Sequence, residues 1–245
     1  MLLHRENYGT DYYPRLISLS EVCLRWYKII RDSPPLWTGI HGLDSPELID
    51  TALLRSSRHP LDTIFHSTKH RRHLSTDFFS FMTAINGHRD RWRSMEILAP
   101  RAWMQGVIAS LGGLVPNLEE LSLIDRDTIS CSRKFDLFGG KAPRLDSLTL
   151  NGVSIRWDSE ILHNLTCLDL SWIAFPSTDV ILHALSRSPQ LQKLRINSCT
   201  IDSMATPPSR SVQLPRLLRL SVDLRDQAVT ENLLSCIQSN QKNAL

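Results

Sequence analysis

Five short segments of this chain share one spacing of aliphatic residues, and that spacing limits the fold more than any other feature. They are Leu118-x-x-Leu121-x-Leu123, Leu145-x-x-Leu148-x-Leu150, Leu165-x-x-Leu168-x-Leu170, Leu191-x-x-Leu194-x-Ile196 and Leu217-x-x-Leu220-x-Val222. Their opening leucines are 27, 20, 26 and 26 residues apart, and a weaker copy, Trp92-x-x-Met95-x-Ile97, stands 26 residues before the first. The last two aliphatic residues of each copy are two apart, so they point to one face of a short strand. The first covers the turn leading in. One such strand cannot bury its apolar edge alone, but copies laid side by side form a parallel sheet with a continuous leucine core. Proline stands two residues ahead of the opening leucine in four of the five, at Pro116, Pro143, Pro189 and Pro215. Its fixed φ and missing N–H end the preceding segment and feed the chain into the strand.

These segments resemble the leucine-rich-repeat family. The copy at Leu191 continues to Cys199 and Ile201, where that family keeps an inward polar or Cys residue and then an aliphatic one. Leu145 continues to Val153 and Ile155, and Leu165 to Ile173 and Phe175. The family's polar Asn is missing, which implies irregular convex turns. The 20-residue step implies a return by a loop rather than a full helix.

Short helices are expected between strands. Met104, Val107, Ile108 and Leu111 have helical spacing and stop at Gly112-Gly113. Asp179 to Ser186 carries Val180, Ile181, Ala184 and Leu185. A last helix from Thr230 to Ser239, with Leu233, Leu234 and Ile237 inward, is expected to cap the open end, whereas Arg126 to Lys141 reads as a long loop. Upstream, Ser45-Pro46-Glu47 has the cap, N1 proline and early acid of a helix start, with Ile49, Ala52 and Leu53 as its inner stripe. Leu61 to Phe65 reads as a strand, and Thr76 as the cap of a helix that buries Phe78, Phe81, Met82 and Ile85.

Leu16 to Asp32 predicts one amphipathic helix with Val22, Trp26, Ile29 and Ile30 on one face. The run Val22-Cys23-Leu24-Arg25-Trp26-Tyr27-Lys28-Ile29-Ile30, followed by Ser33-Pro34-Pro35-Leu36-Trp37, resembles the C-terminal half of an F-box. The Leu-Pro-x-Glu helix that opens that family's motif has no counterpart in residues 1–15. Joined to the repeats, the chain resembles a fungal-type F-box/leucine-rich-repeat protein with the N-terminal half of the F-box missing. The resemblance implies an α/β fold: a leucine-rich-repeat solenoid of parallel short strands with irregular helices and loops over residues 41–245, preceded by a truncated F-box-like helical segment over 16–40, with 1–15 unassigned. It also implies that Val22, Cys23, Trp26, Ile29, Ile30, Leu36 and Trp37 dock onto the Skp-type adaptor of a cullin–RING ubiquitin ligase while the repeats choose an unknown protein substrate. An amphipathic helix in an apolar groove is the physical basis for such docking. A cap on the end of the solenoid is the other role open to Val22, Trp26 and Trp37.

By strand alternation, the residues between the buried leucines form the working face: Glu120, Ser122, Ile124, Ser147, Thr149, Asn151, Cys167, Asp169, Ser171, Lys193, Arg195, Asn197, Arg219, Ser221 and Asp223. The row begins acidic and ends basic, which suits a partner with the opposite gradient. Such rows otherwise merely solvate the sheet.

No bond-making chemistry is expected. Gly139-Gly140-Lys141 lacks the earlier glycine and the following Ser/Thr of a phosphate loop, and there is no Gly-x-Ser-x-Gly elbow. His66, His70 and His73 share a helical spacing, but the segment is basic and poor in acids, so it reads as a solvated loop rather than a metal site. Catalytic, metal and cofactor residues are therefore assigned to none. With 245 residues and a net charge of +3, the chain lacks the concentrated basic face of a nucleic-acid binder; Lys69–His73 and Arg89–Arg93 read as solvated clusters. Five scattered cysteines, an odd count, read as reduced thiols. The first residues lack the apolar run of a signal peptide and no run of 18 apolar residues could span a membrane, so the expected place is intracellular, cytoplasmic or nuclear. Without a secretion signal, the sequon Asn164-Leu165-Thr166 reads as a coincidence.

Overall fold

Alternation of buried and polar residues turns the aliphatic segments into strands, and each finds its hydrogen-bonding neighbour close by in sequence. The structure, a computed structural model, describes residues 12–67, 74–127, 134–202 and 210–239. It is α/β, with a mostly parallel central sheet, and divides into two units, residues 1–97 and 98–245.

The first unit opens with helices α1 (Tyr12–Ser20) and α2 (Leu24–Arg31), a 3₁₀ turn at Pro34–Trp37 and strand β1 (Gly39–His41). Helix α3 (Pro46–Arg55), β2 (Leu61–His66), α4 (Leu74–Asn86) and β3 (Trp92–Ala99) follow, the last strand running across the boundary. Strand β2 lies between β1 and β3 and pairs with β1 in parallel, Ile40 opposite Thr63. The Ser45 hydroxyl caps α3 by accepting from the Leu48 amide, and Ile49, Ala52 and Leu53 are buried as the spacing predicts. Phe78, Phe81, Met82 and Ile85 of α4 are buried, with Phe65 of β2 packed edge-on against Phe78. Thr76 lies inside this helix rather than ahead of it.

The single helix expected over Leu16 to Asp32 is instead two. The Ser20 hydroxyl donates to the Ile17 carbonyl at 2.6 Å, and Cys23 is fully extended at φ −164°. A short hydroxyl side chain competing for the helix acceptors, followed by β-branched Val22, favours a break at this point. The break lets the Tyr13 hydroxyl reach the Gly39 carbonyl at 2.5 Å and stack its ring on Trp37.

The second unit contains α5 (Arg101–Ser110), β4 (Glu120–Asp125), β5 (Lys134–Phe135), β6 (Ser147–Asn151), β7 (Ser154–Ile155), β8 (Cys167–Ser171) and β9 (Ala174–Phe175). Then come α6 (Thr178–Ser186), β10 (Lys193–Ile201), β11 (Val212–Gln213), β12 (Arg219–Leu224), α7 (Gln227–Cys236) and β13 (Ile237–Gln238). Strands β4, β6, β8, β10 and β12 lie side by side in that order, all parallel. The register aligns Leu121, Leu148, Leu168, Leu194 and Leu220 in one row and Leu123, Leu150, Leu170, Ile196 and Val222 in the next. As the short spacing predicts, β6 returns to β8 without an α-helix, through β7 and a 3₁₀ turn at Glu160–Leu162.

The row of leucines is dry through Leu194, at 2% exposure, but Leu220 is 40% exposed. The spacing predicts an inward position on every strand; β12 fails it at the end of the sheet, where no further strand flanks Leu220 among the described residues. The last helix also starts earlier than its aliphatic spacing suggests. The Asp226 carboxylate accepts from the Ala228 and Val229 amides, fixing the start, so Val229, Leu233 and Cys236 turn inward and Leu234 outward. Ile237 is buried, but in β13. In α6, Leu182 is buried while Val180 is only half-buried.

After three of the strands the chain turns through a left-handed residue at one aligned position: Gly152 (φ 68°), Trp172 (φ 57°) and Ser198 (φ 53°). Each turn drives the next side chain, Val153, Ile173 or Cys199, into the core. A Cβ on Gly152 would come within 2.9 Å of the Asp125 Cβ, so close packing as well as φ favours glycine there.

Candidate functional site

Two surfaces stand out, one on each unit. On the first, every residue from Glu21 to Ile29 is exposed, so helix α2 presents most of its circumference to solvent. Val22 is 66% exposed, Trp26 46% and Ile29 54%; Cys23 is exposed too. Leu36 is half-buried. Ile30 and Trp37, expected in the docking face, are instead buried in the unit's own core. The Trp37 indole N–H donates to the Ile30 carbonyl at 2.8 Å, and the Arg55 guanidinium lies over the Trp37 ring. A large ring stacked between Tyr13 and Arg55 has no face left for a partner, so these two residues hold α2 in place.

The sequence reading missed Ile17 and Leu19 on α1 and Leu24 and Tyr27 on α2, all exposed. The signal was present, because apolar residues in this region exceed a single stripe, and a helix apolar on more than one face needs more than one neighbour. Exposed aliphatic and aromatic side chains gathered in this density are the kind of surface that a binding partner covers.

On the second unit the register sets the expected face out in three rows. Glu120, Ser147, Cys167, Lys193 and Arg219 align; so do Ser122, Thr149, Asp169, Arg195 and Ser221; and so do Ile124, Asn151, Ser171, Asn197 and Asp223. Ser122 and Ser171 are buried rather than on the surface. Lys193, Arg195, Arg219, Ser221 and Asp223 are exposed, and the other members are half-buried. The face is therefore most open over β10 and β12, where three cations lie on adjacent strands.

Asp169 is the electrostatic pivot. Burial raises its carboxyl above the usual range, and Arg195 at 3.8 Å and the Ser171 hydroxyl at 3.3 Å pull against that rise. Beside it, the Arg225 guanidinium lies over the Trp172 ring, which the left-handed turn turns outward enough to be half-exposed. This face can hold a complementary surface by charge and shape.

Among the described residues no three His, Cys, Asp or Glu side chains gather to hold a metal, and no helix is long and apolar enough to cross a membrane. His66 contacts Glu96 at 2.7 Å, whereas His70 and His73 lie outside the described residues. The described cysteines are free thiols; Cys199 is buried, and burial pushes it up to about 11. No protein-family model matches this chain, and no curated protein matches it.

Proposed function

We propose that the chain is the substrate-recognition subunit of a Skp–cullin–F-box ubiquitin ligase, a leucine-rich-repeat solenoid behind a truncated F-box. It performs no bond chemistry and works by holding a target protein near the ligase, inside the cell. The observation that carries this reading is the exposed apolar surface around Val22, Trp26 and Ile29, in the segment whose sequence resembles the F-box. A groove on an adaptor that received this helix would remove that surface from water. The strand face over β8, β10 and β12 supplies the second half of the reading, a graded charge surface for the target.

A free-standing repeat scaffold is the second reading. Burial of Ile30 and Trp37 favours it, because α1 and α2 then act as the end cover of the first unit.

Retention of the purified chain on an immobilised Skp-type adaptor separates the two. The first reading expects retention by the wild type and its loss in Trp26→Ala and Ile29→Asp. A chain extended at its N-terminus by a Leu-Pro-x-Glu half and still not retained would end that reading. A partner captured through the strand face without adaptor contact would support the scaffold.

A further inference from the structure

The free edge of β12 is chemically palindromic. From Leu218 to Leu224 it reads Leu, Arg, Leu, Ser, Val, Asp, Leu, with aliphatic residues at 218, 220, 222 and 224 and opposite charges equidistant from Ser221. We propose that this edge pairs antiparallel with the same edge of a second copy of the chain, about a two-fold axis at Ser221.

Among the described residues, strand β12 pairs with β10 alone. The Leu218 and Arg219 amides both donate to the Gln192 carbonyl, at 2.8 and 3.0 Å, and from Arg219 to Asp223 the odd-numbered residues turn their backbone groups toward β10. The N–H and C=O groups of Leu220 and Val222 then face the open side. In an antiparallel pair centred on Ser221, Leu220 of one copy stands opposite Val222 of the other, and both carry outward backbone groups, so the register forms closed hydrogen-bonded pairs on each side of the axis. The same register sets Arg219 against Asp223 twice, and Leu218 against Leu224 twice.

The side chains at the centre of the register are open, whereas Val222 is half-buried and Leu224 is buried. Leu218 is 59% exposed and Leu220 40%, whereas Leu194, aligned with Leu220 one strand inward, is 2% exposed. Arg219, Ser221 and Asp223 are exposed, and neither charge makes an ion pair among the described residues. A lone edge strand of this kind invites association, and edges are usually blunted by charges, lysine above all, or by proline. Residues 218–224 contain no lysine or proline, and their two charges are of opposite sign. An isologous contact of this type closes on itself as a dimer instead of propagating. It uses no residue of α2, so it does not rest on adaptor docking.

Sedimentation of the full chain tests the proposal. The wild type is expected to be a dimer. Arg219→Asp and Asp223→Arg should each weaken it about 30-fold, because two attractive pairs become two repulsive ones. The double variant, with the two charges exchanged, should recover, and the two single variants mixed in equal amounts should form a heterodimer that neither forms alone. Circular dichroism checks that each variant is folded. A monomeric wild type at about 100 μM, single variants that dimerise as well as the wild type, or a double variant or mixture that fails to associate would each overturn it.

Discussion

The indole N–H of Trp37 donates to the carbonyl of Ile30, seven residues back, at 2.8 Å. Trp92 makes the same reach to Ile85 at 3.2 Å. Both acceptors sit in the last turn of a helix, where carbonyls lack an intrahelical partner, and both rings are buried. Each tryptophan thus closes a helix end, Trp92 at the first residue of the next strand and Trp37 two residues ahead of it. Trp37→Phe keeps most of the apolar burial but leaves the Ile30 carbonyl unpaired, and should cost about 1–3 kcal/mol in a urea titration. Trp37→Ala should cost about 3–5 kcal/mol. Equal losses for the two variants would show that the hydrogen bond is not what the indole contributes.

The aligned left-handed turns give a prediction of opposite signs. Gly152→Ala meets both an unfavourable φ and the Asp125 Cβ, so it should lose about 1–3 kcal/mol. Ser198→Gly relieves a non-glycine residue at φ 53°, offset by extra freedom in the unfolded chain, and should gain about 0.5 kcal/mol. Thermal melts of the two variants against the wild type measure both.

Burial along the leucine row ranks its members. Leu194→Ala opens a cavity in a dry interior and should cost about 2–5 kcal/mol. Leu220→Ala, at a position 40% exposed, should cost less than about 1 kcal/mol in the monomer. Equal costs would mean that Leu220 is covered in solution.

Acid should act on the first unit through two opposed groups. His41 is buried, and its Nδ1 accepts from the Leu43 amide at 3.1 Å. Burial lowers it to about 4, aided by nearby His66, with Glu96 working the other way. Its contribution to stability is complete above the unfolded value of 6.5 and is lost as pH falls through 4. Burial raises Asp44 to about 6, against the hydrogen bond from the His41 backbone. Its contribution is complete below the unfolded value of 3.8 and is lost as pH rises through 6. Between about pH 4 and 6 the two slopes oppose. Asp44→Asn should therefore steepen the loss of stability on acidification, and His41→Asn should make stability rise as pH falls from about 6 to 4. Denaturant midpoints at several pH values report this, and parallel slopes in both variants would contradict it.

The register of β4 through β12 was readable in the sequence because aliphatic spacing, preceding prolines and chain order all point to the same neighbours. Helix α3 was readable for the same reason, since Ser45, Pro46 and Glu47 agree on where it starts. What was not readable turned on competition or on position in the assembly. The break between α1 and α2 lies at a fully extended Cys23 next to a Ser20 hydroxyl that shares the Ile17 carbonyl with the Glu21 amide, which periodicity cannot register. Burial of Trp37 depends on Tyr13 and Arg55, which approach from other elements. Leu220 has the spacing of its buried counterparts, and only its place on the last strand exposes it.

Because β4, β6, β8, β10 and β12 stand in space in the order they occur in the chain, no segment of that sheet waits for a distant stretch to be made. During synthesis on the ribosome, each new strand emerges to meet a template completed about two dozen residues earlier, so loop closure stays short at every addition. Assembly can then proceed from the amino end in step with elongation, with a single unfinished margin at any moment.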